Sequence, residues 1–291
     1  MKFSFLLLLL CIHGWVQPAE AKWSVTTYNI RNFDQDYQAG QTDLNELGRI
    51  IREVQSDVMA FEEVVNRRAF DALIRKNLPG YQYKVSSCGG FGKQNLAVVF
   101  NQKTFEYVEH EEDLSLSGSS TGCGSLRPLF LVTLRHRSSK QIYTFGAAHL
   151  KAGGSPRAFA QRWQQYEKLE KVSRNYDNKN LILLGDLNTT GYNIKNEDYR
   201  KFEDFISSAG LRTMTENIEC TNYWTGTSGG SEYQPSILDH IIIQDKLVKS
   251  VESVRIAAHC SKLDCRPATP EELGVSFESV SDHCPLQVTF K

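Results

Sequence analysis

The residues able to do chemistry in this 291-residue chain fall at particular phases of its strand-like segments. Side chains two apart on a strand share a face, so a polar residue in the apolar phase is costly unless it is paired or bound. His149 follows Tyr143, Phe145 and Ala147 in that phase, and Asp186 follows Ile182 and Leu184 with Asn188 next. Asp239 sits among Ile237, Ile241 and Ile243, Glu63 among Met59, Phe61 and Val65, and Asp282 among Val280, Cys284, Leu286, Val288 and Phe290. One such interloper reads as a satisfied structural group; five, each near one end of its segment, read as a shared site. Acids gathered in a partly buried place repel one another unless a cation lies among them. The oxygen set Glu63, Asp186, Asn188 and Asp282 suits a hard cation such as Mg²⁺, Mn²⁺ or Ca²⁺. A hard cation beside two imidazoles, His149 and His283, fits hydrolysis of a phosphodiester. The cation and an imidazolium neutralise the pentavalent phosphate while an acid orients or deprotonates the attacking water. Other chemistries lack their parts. The chain has no P-loop and no G-x-G-x-x-G, and Cys88-Gly89-Gly90-Phe91-Gly92 lacks the lysine and hydroxyl spacing of a phosphate-cradling loop.

The elements that must position these residues alternate between strand-like and helical patterns. Trp23 to Ile30, Asp57 to Val65, Tyr81 to Val85, Asn95 to Asn101, Leu129 to Leu134, Gln141 to Leu150, Leu181 to Leu187, Ile237 to Gln244, Ser253 to Ala258 and Pro285 to Phe290 read as strands. Leu44, Leu47, Ile50, Ile51 and Val54 form one helical face over 44–54, and Phe70, Leu73, Ile74 and Leu78 a second. Pro156 opens a long polar helix to about Tyr176, as proline suits a first turn, and Asn196 to Ser208 is another. The tracts Ser115 to Ser125 and Thr225 to Ser231 are loops. Many strands with a few interspersed helices predict an α/β protein in which helices cover sheets.

Composition allows one large domain and excludes disordered, collagen-like and coiled-coil chains: 41% of residues are hydrophobic and 23% charged. No repeat, charge block or proline-rich linker divides it. Thirty-three basic residues against thirty-four acidic ones leave a net charge of −1, so a polyanion must be gripped by a local patch. Lys2, the apolar run Phe3 to Ile12 and the small-x-small Ala19-Glu20-Ala21 predict a signal peptide over residues 1–21, cleaved after Ala21, and a domain over 22–291 that is secreted or periplasmic. No later segment reads as a membrane span, and a monomer is expected. Beyond residue 21 lie Cys88, Cys123, Cys220, Cys260, Cys265 and Cys284, an even number that in an exported chain suggests disulfides. Proximity favours only Cys260 with Cys265; a zinc site is the competing reading, without C-x-x-C or paired histidines to support it.

Taken in order, Tyr28-Asn29-Ile30-Arg31-Asn32-Phe33, Phe61-Glu62-Glu63-Val64, Arg127-Pro128, Ala148-His149-Leu150-Lys151, Gly185-Asp186-Leu187-Asn188, Leu238-Asp239-His240 and Ser281-Asp282-His283-Cys284-Pro285 resemble the endonuclease/exonuclease/phosphatase superfamily, and within it the secreted deoxyribonuclease I type. The resemblance implies a four-layer αββα sandwich, two packed β-sheets flanked by helices, with the site at the sheet edge. It implies that Glu63 is the principal metal ligand, with Asn29 and Asp282 nearby. Asp186 then positions or activates water, and Asn188 contacts phosphate or metal. His149 and His283 flank the scissile phosphate, and Asp239 pairs with His283 and raises its pKa. Arg31 and Arg127 contact phosphate, and Lys151, Arg157 and Arg162 extend a basic groove.

This chain also departs from the pattern. Gln94 stands where family nucleases carry a glutamate that orients the first histidine, and Val65 where they carry an arginine, with Arg67 or Arg68 as substitutes from the next turn. His110, His136, His240 and His259 read as structural, and Tyr223 and Trp224 as packing aromatics able to stack on a base. The expectation is a Mg²⁺- or Mn²⁺-dependent phosphodiesterase, a deoxyribonuclease cutting DNA with little sequence preference. The alternative is a phospholipid (sphingomyelinase-like) or inositol phosphate phosphodiesterase or phosphatase on the same fold.

Overall fold

Four side chains start the long helices by accepting a backbone N–H: Asp43 before α1 (Leu44–Val54), Asn66 before α2 (Arg67–Asn77), Ser155 before α3 (Pro156–Asn175) and Asn196 before α4 (Glu197–Ser208). Short helices α5 (Ala258–Lys262), α6 (Pro270–Leu273) and α7 (Val275–Glu278) follow late in the chain. The computed structural model describes residues 22–34, 41–119, 121–176, 180–226 and 231–291. The expected signal peptide lies outside the described residues, as do position 120 and most of the tract Thr225 to Ser231.

The strands are β1 (Trp23–Asn29), β2 (Val58–Val64), β3 (Tyr81–Val85), β4 (Asn95–Asn101), β5 (Phe105–Asp113), β6 (Leu129–His136), β7 (Ile142–His149), β8 (Leu181–Asp186), β9 (Leu211–Thr213), β10 (Asn222–Trp224), β11 (Gln234–Ser236), β12 (Asp239–Gln244), β13 (Val251–Ile256) and β14 (Leu286–Phe290). They form two six-stranded sheets, ordered β13-β14-β1-β2-β4-β3 and β5-β6-β7-β8-β12-β9, and a small β10-β11 ribbon. Val25, Val58 and Val288 of the first sheet meet Phe145, Ile182 and Ile241 of the second in a core between the sheets. Helices α1 and α2 pack on the outer face of the first sheet, through Ile51 and Phe70 against Met59 and Phe61. Helices α3 and α4 cover the second, through Leu169 and Phe202 against Leu181 and Leu183. Each fully buried aliphatic or aromatic side chain contributes roughly 1.5–3 kcal/mol to holding these layers together. The architecture is the expected αββα sandwich.

Three local expectations are corrected. First, β5 was not anticipated: after Phe105 and Tyr107 its residues are mostly acids, because it is an edge strand whose outer side faces water. Second, Cys260 pairs with Cys284 and Cys265 with Cys220, while Cys88 pairs with Cys123. Proximity misleads because the turn in which Cys265 N–H donates to the Cys260 carbonyl sends the two thiols to different partners. The zinc reading gives way with it, since Cys260 and Cys284, the sulfurs beside His259, are joined to each other. Third, residues 281–285 are irregular and the last strand begins only at Leu286.

Gly185 is the tightest backbone approach in the second sheet. Its φ is +149°, and a Cβ there would lie 1.9 Å from the carbonyl oxygen of Ala148 on β7. No side chain fits without separating β7 from β8. Gly185→Ala is expected to destabilise the fold by roughly 3 kcal/mol or more, read as a lowered urea midpoint.

Candidate active site

Strand register brings three of the five polar interlopers side by side. His149 is the parallel partner of Asp186, and Asp239 its antiparallel partner on the other flank. All three continue the face that lines the inter-sheet core, since Phe145, Ile182, Leu184, Ile241 and Ile243 belong to that core. His149 and Asp186 end their strands, and Asp239 begins one at the same sheet edge. Beyond Asp186 the chain turns: Asn188 adopts a φ of +53° and its N–H donates to Asp186 Oδ1 at 2.9 Å. The Asn188 amide also donates to the Leu150 carbonyl at 3.3 Å, joining the two loops.

The first sheet supplies its residues differently. Asn29 ends β1, and its Nδ2 donates across the sandwich to Asp186 Oδ2 at 3.0 Å and to Glu63 Oε1 at 3.2 Å. Glu63 does not reach this place by strand alternation. Met59 and Phe61, whose phase it shares, face the helices and not the inter-sheet core. The β2–β4 register shifts between Phe61 and Val64, and Glu63 takes a φ of +64°, which redirects its carboxylate into the site. Asn32 N–H then donates to Glu63 Oε2 at 2.7 Å. Arg31, Asn32, Glu63 and Asn188 all have positive φ, so backbone strain gathers at this edge, as it does where function fixes geometry.

The irregular segment before β14 closes the cluster. The Ser281 hydroxyl donates to the Asn29 carbonyl at 2.7 Å and accepts the His283 N–H at 3.1 Å. His283 Nδ1 lies 2.8 Å from Asp239 Oδ2, and its Nε2 lies 3.8 Å from Asp186 Oδ2. His149 Nε2 is 3.4 Å from the same Asp186 oxygen and 3.8 Å from Glu63 Oε1. One carboxylate oxygen thus sits between two imidazoles and an amide. Asp282 is half-buried on this irregular segment, so its place is not a strand phase. Its charge contributes to the field that favours protonation of His283.

Burial sets the electrostatics. It pushes the Asp186 carboxyl up to about 7, against the opposing pull of His283 and the hydrogen bonds from Asn188 and Asn29. Burial also pulls on the His283 ring, but the carboxylates of Asp239 and Asp186 more than offset it and hold its pKa well above the ordinary value. Burial, with Arg127 and His283 nearby, holds His149 well below its ordinary value, so that ring is neutral. Glu62, on the inter-sheet face with Val58 and Ala60, was missed by the sequence reading. It is fully buried, accepts from the Thr27 hydroxyl at 2.8 Å, and is pushed well above the carboxylate range by burial and then by Asp239. Its signal was the same alternation, hidden because both phases of β2 are apolar.

Several expected roles are moved by the geometry. Gln94 does not orient His149: its amide donates to Asn32 Oδ1 at 2.8 Å, and His149 Nδ1 has no partner among the described residues. Arg127 donates to the carbonyls of His149 and Leu150 at 3.0 and 2.6 Å, and so braces the backbone that carries the histidine. Arg31 donates to the carbonyls of Phe277 and Glu278 at the end of α7, and Arg67 to those of Ser86 and Ser87. Arg162 is not part of a basic groove; it is fully buried against Asp198. Lys151 and Arg157 remain near the surface, and Lys151 Nζ donates to the Ala152 carbonyl at 2.8 Å. His240 is buried against Phe202 and Tyr192, and Tyr223 packs with its hydroxyl on the Arg266 carbonyl, whereas Trp224 is partly exposed.

The donor set fits a hard cation. Glu63, Asp186 and Asp239 converge with only amide and imidazole groups between them, and Asp239 Oδ1 is buried without a partner among the described residues. Asp186, Asp239 and His283 also lie within 4.8 Å of one another, but a protonated imidazole cannot ligate a metal, so this trio reads as acid–base groups and not as the ion's ligands.

Comparison with known proteins agrees on the family and the fold. The sequence model of the Endonuclease/Exonuclease/phosphatase family matches residues 26–283. The fold is similar to an endonuclease/exonuclease/phosphatase from Bacteroides vulgatus, at 14% identity and a TM-score of 0.66 over 94% of this chain and 99% of that one. It is similar to a family protein from Bacteroides thetaiotaomicron, at 18% identity and a TM-score of 0.62 over 92% of this chain and 97% of that one. TDP2 from D. rerio complexed with single strand DNA product aligns at 14% identity and a TM-score of 0.64, over 94% of this chain and 100% of that one. No curated protein matches the sequence.

Proposed function

The chain belongs to the endonuclease/exonuclease/phosphatase family, and from that premise we propose that it is an exported, divalent-metal-dependent nuclease hydrolysing DNA phosphodiester bonds with little sequence preference. The observation that carries this reading is the single Asp186 oxygen set between the two imidazoles and the Asn29 amide. Members of this family are hydrolases acting on phosphodiester bonds. The single-strand DNA product bound by D. rerio TDP2 supports a nucleic acid as the substrate here. The three disulfides support export.

Glu63 and Asn29 would hold Mg²⁺ or Mn²⁺ in this reading, with Asp282 as the further expected ligand, and Ca²⁺ suits the same oxygens. The bound cation supplies neutralisation of charge on the phosphate oxygens. The chain's own groups do the rest. Asp186 takes the proton of the attacking water at Oδ2, a task suited to a carboxyl pushed up to about 7. His283, steadied by Asp239 and kept protonated, donates from Nε2 to the leaving oxygen. His149, neutral, and the Asn188 amide hydrogen-bond the phosphate oxygens. Lys151 at the rim and Arg127 beneath it add positive charge along the backbone path of the substrate, while Arg31 holds the end of α7.

One assay series tests the substrate. Purified protein is incubated with supercoiled plasmid, single-stranded DNA and sphingomyelin vesicles in the presence of Mg²⁺. Nicked and linear plasmid is the expected product; choline phosphate released from vesicles with the plasmid intact would overturn the nuclease reading and favour the lipid alternative.

A further inference from the structure

Arg162 and Asp198 lie outside the cluster described above, fully buried under the second sheet's helical layer. Arg162 Nε lies 3.2 and 3.0 Å from Asp198 Oδ1 and Oδ2, and Nη2 lies 2.7 Å from Oδ2. The guanidinium has further donors. Its Nη1 donates to the carbonyls of Lys151 at 2.6 Å and Gly153 at 3.2 Å, and Nη2 to the Thr190 hydroxyl at 3.3 Å. Asp198 in turn accepts the Thr190 N–H at 2.8 Å and the Trp163 indole N–H at 2.9 Å. One ion pair therefore clasps the loop that follows His149 and the loop that follows Asn188.

Stability alone does not account for it. Burying two charges costs about as much as their attraction returns, and an apolar pair of equal volume holds helices together as well. What an apolar pair cannot supply is a planar fork of donors fixed in direction on two backbone carbonyls and a hydroxyl. The rest of α3 repeats the pattern: Gln165 Oε1 accepts the Lys151 N–H at 2.9 Å, and the Tyr166 hydroxyl lies 2.9 Å from that of Thr189. Backbone bonds hold only the first residue of each loop, Leu150 N–H to the Asp186 carbonyl at 3.0 Å and Leu187 N–H to the Leu238 carbonyl at 2.9 Å, and Asn188 Nδ2 bonds the Leu150 carbonyl between them.

We propose that the Arg162–Asp198 pair is a positioning unit for the reaction, fixing loops 150–154 and 187–190 so that His149 and Asn188 keep their places around Asp186. The proposal rests on the phosphodiesterase reading for the reaction that it serves. A displacement of about 1 Å in such groups costs up to about 10²-fold in rate.

The test compares Arg162→Lys, which keeps the charge but loses the fork, and Asp198→Asn, which keeps the shape, with Val172→Ala, a cavity in the same helix remote from both loops. Plasmid cleavage and hydrogen exchange are measured well below each melting temperature. The expected result is kcat lowered about 10- to 100-fold with KM near wild type for the two hub variants, and unchanged for Val172→Ala. The amides of Leu150, Asn188 and Thr190 should exchange faster in the hub variants alone. Wild-type kcat in folded Arg162→Lys and Asp198→Asn, or an equal loss in Val172→Ala, would overturn the proposal. Were the wild-type chain inert on every phosphodiester offered, the functional reading would fall. The exchange data would still decide the hub's role, unchanged loop protection in its variants counting against it.

Discussion

Asp186→Asn is expected to lower the rate of plasmid nicking by about 10³-fold while the chain stays folded. The loss follows from position: among the described residues Asp186 Oδ2 alone lies near both His149 and His283 and accepts from Asn29, so none of their other carboxylates is placed to take over its role. Retention of the fold follows from electrostatics. Burial raises the folded-state pKa of Asp186 to about 7 from an ordinary value of 3.8. A carboxyl raised in this way contributes stability only while protonated, and at pH 8 its charge opposes folding. The neutral amide keeps an acceptor for the Asn188 N–H and removes that charge. The metal-free variant should therefore melt at pH 8 no lower than wild type. Nicking at the wild-type rate would remove Asp186 from the mechanism, and a collapse in melting temperature would show its role to be structural.

Chelation is expected to abolish cleavage, and Mg²⁺ or Mn²⁺ to restore it, with a second signature independent of turnover. A cation bound only by the folded state stabilises it by about 2.7 kcal/mol at a hundredfold excess over Kd. For a chain of this size that corresponds to a rise of roughly 5 °C in melting temperature. Glu63 is the residue through which this is best read. Its carboxylate is held by Asn29 and the Asn32 N–H at a left-handed backbone position, and Gln in its place keeps the shape but not the charge. Glu63→Gln should keep the metal-free melting temperature and lose most of the metal-dependent rise. A wild-type melting curve indifferent to Mg²⁺, Mn²⁺ and Ca²⁺ alike would dispose of the metal requirement.

How far the site was legible depended on the strand. In β7, β8 and β12 the alternation continued to the strand end, so His149, Asp186 and Asp239 were readable as neighbours on one inward face. In β2 both faces are apolar because one meets the other sheet and one meets helices, so alternation could not say which was which. Glu62 was passed over for that reason, and Glu63 reached the cluster through a register shift that no periodicity records. The last segment misled similarly: Asp282 was counted on a strand that begins four residues later.

The chain's own order of residues determined the α/β class, the helix 44–54 to its ends and the kinds of groups that gather, because those follow from local periodicity, caps and side-chain chemistry. Only the tertiary structure decided the disulfide pairing, the bracing of Arg31 and Arg127 on backbone carbonyls, and the burial of Arg162 with Asp198. An arginine looks the same in sequence whether its fork faces a phosphate or a carbonyl. Which one it meets is set by the packing of distant segments, and that information resides in no stretch of the chain taken alone.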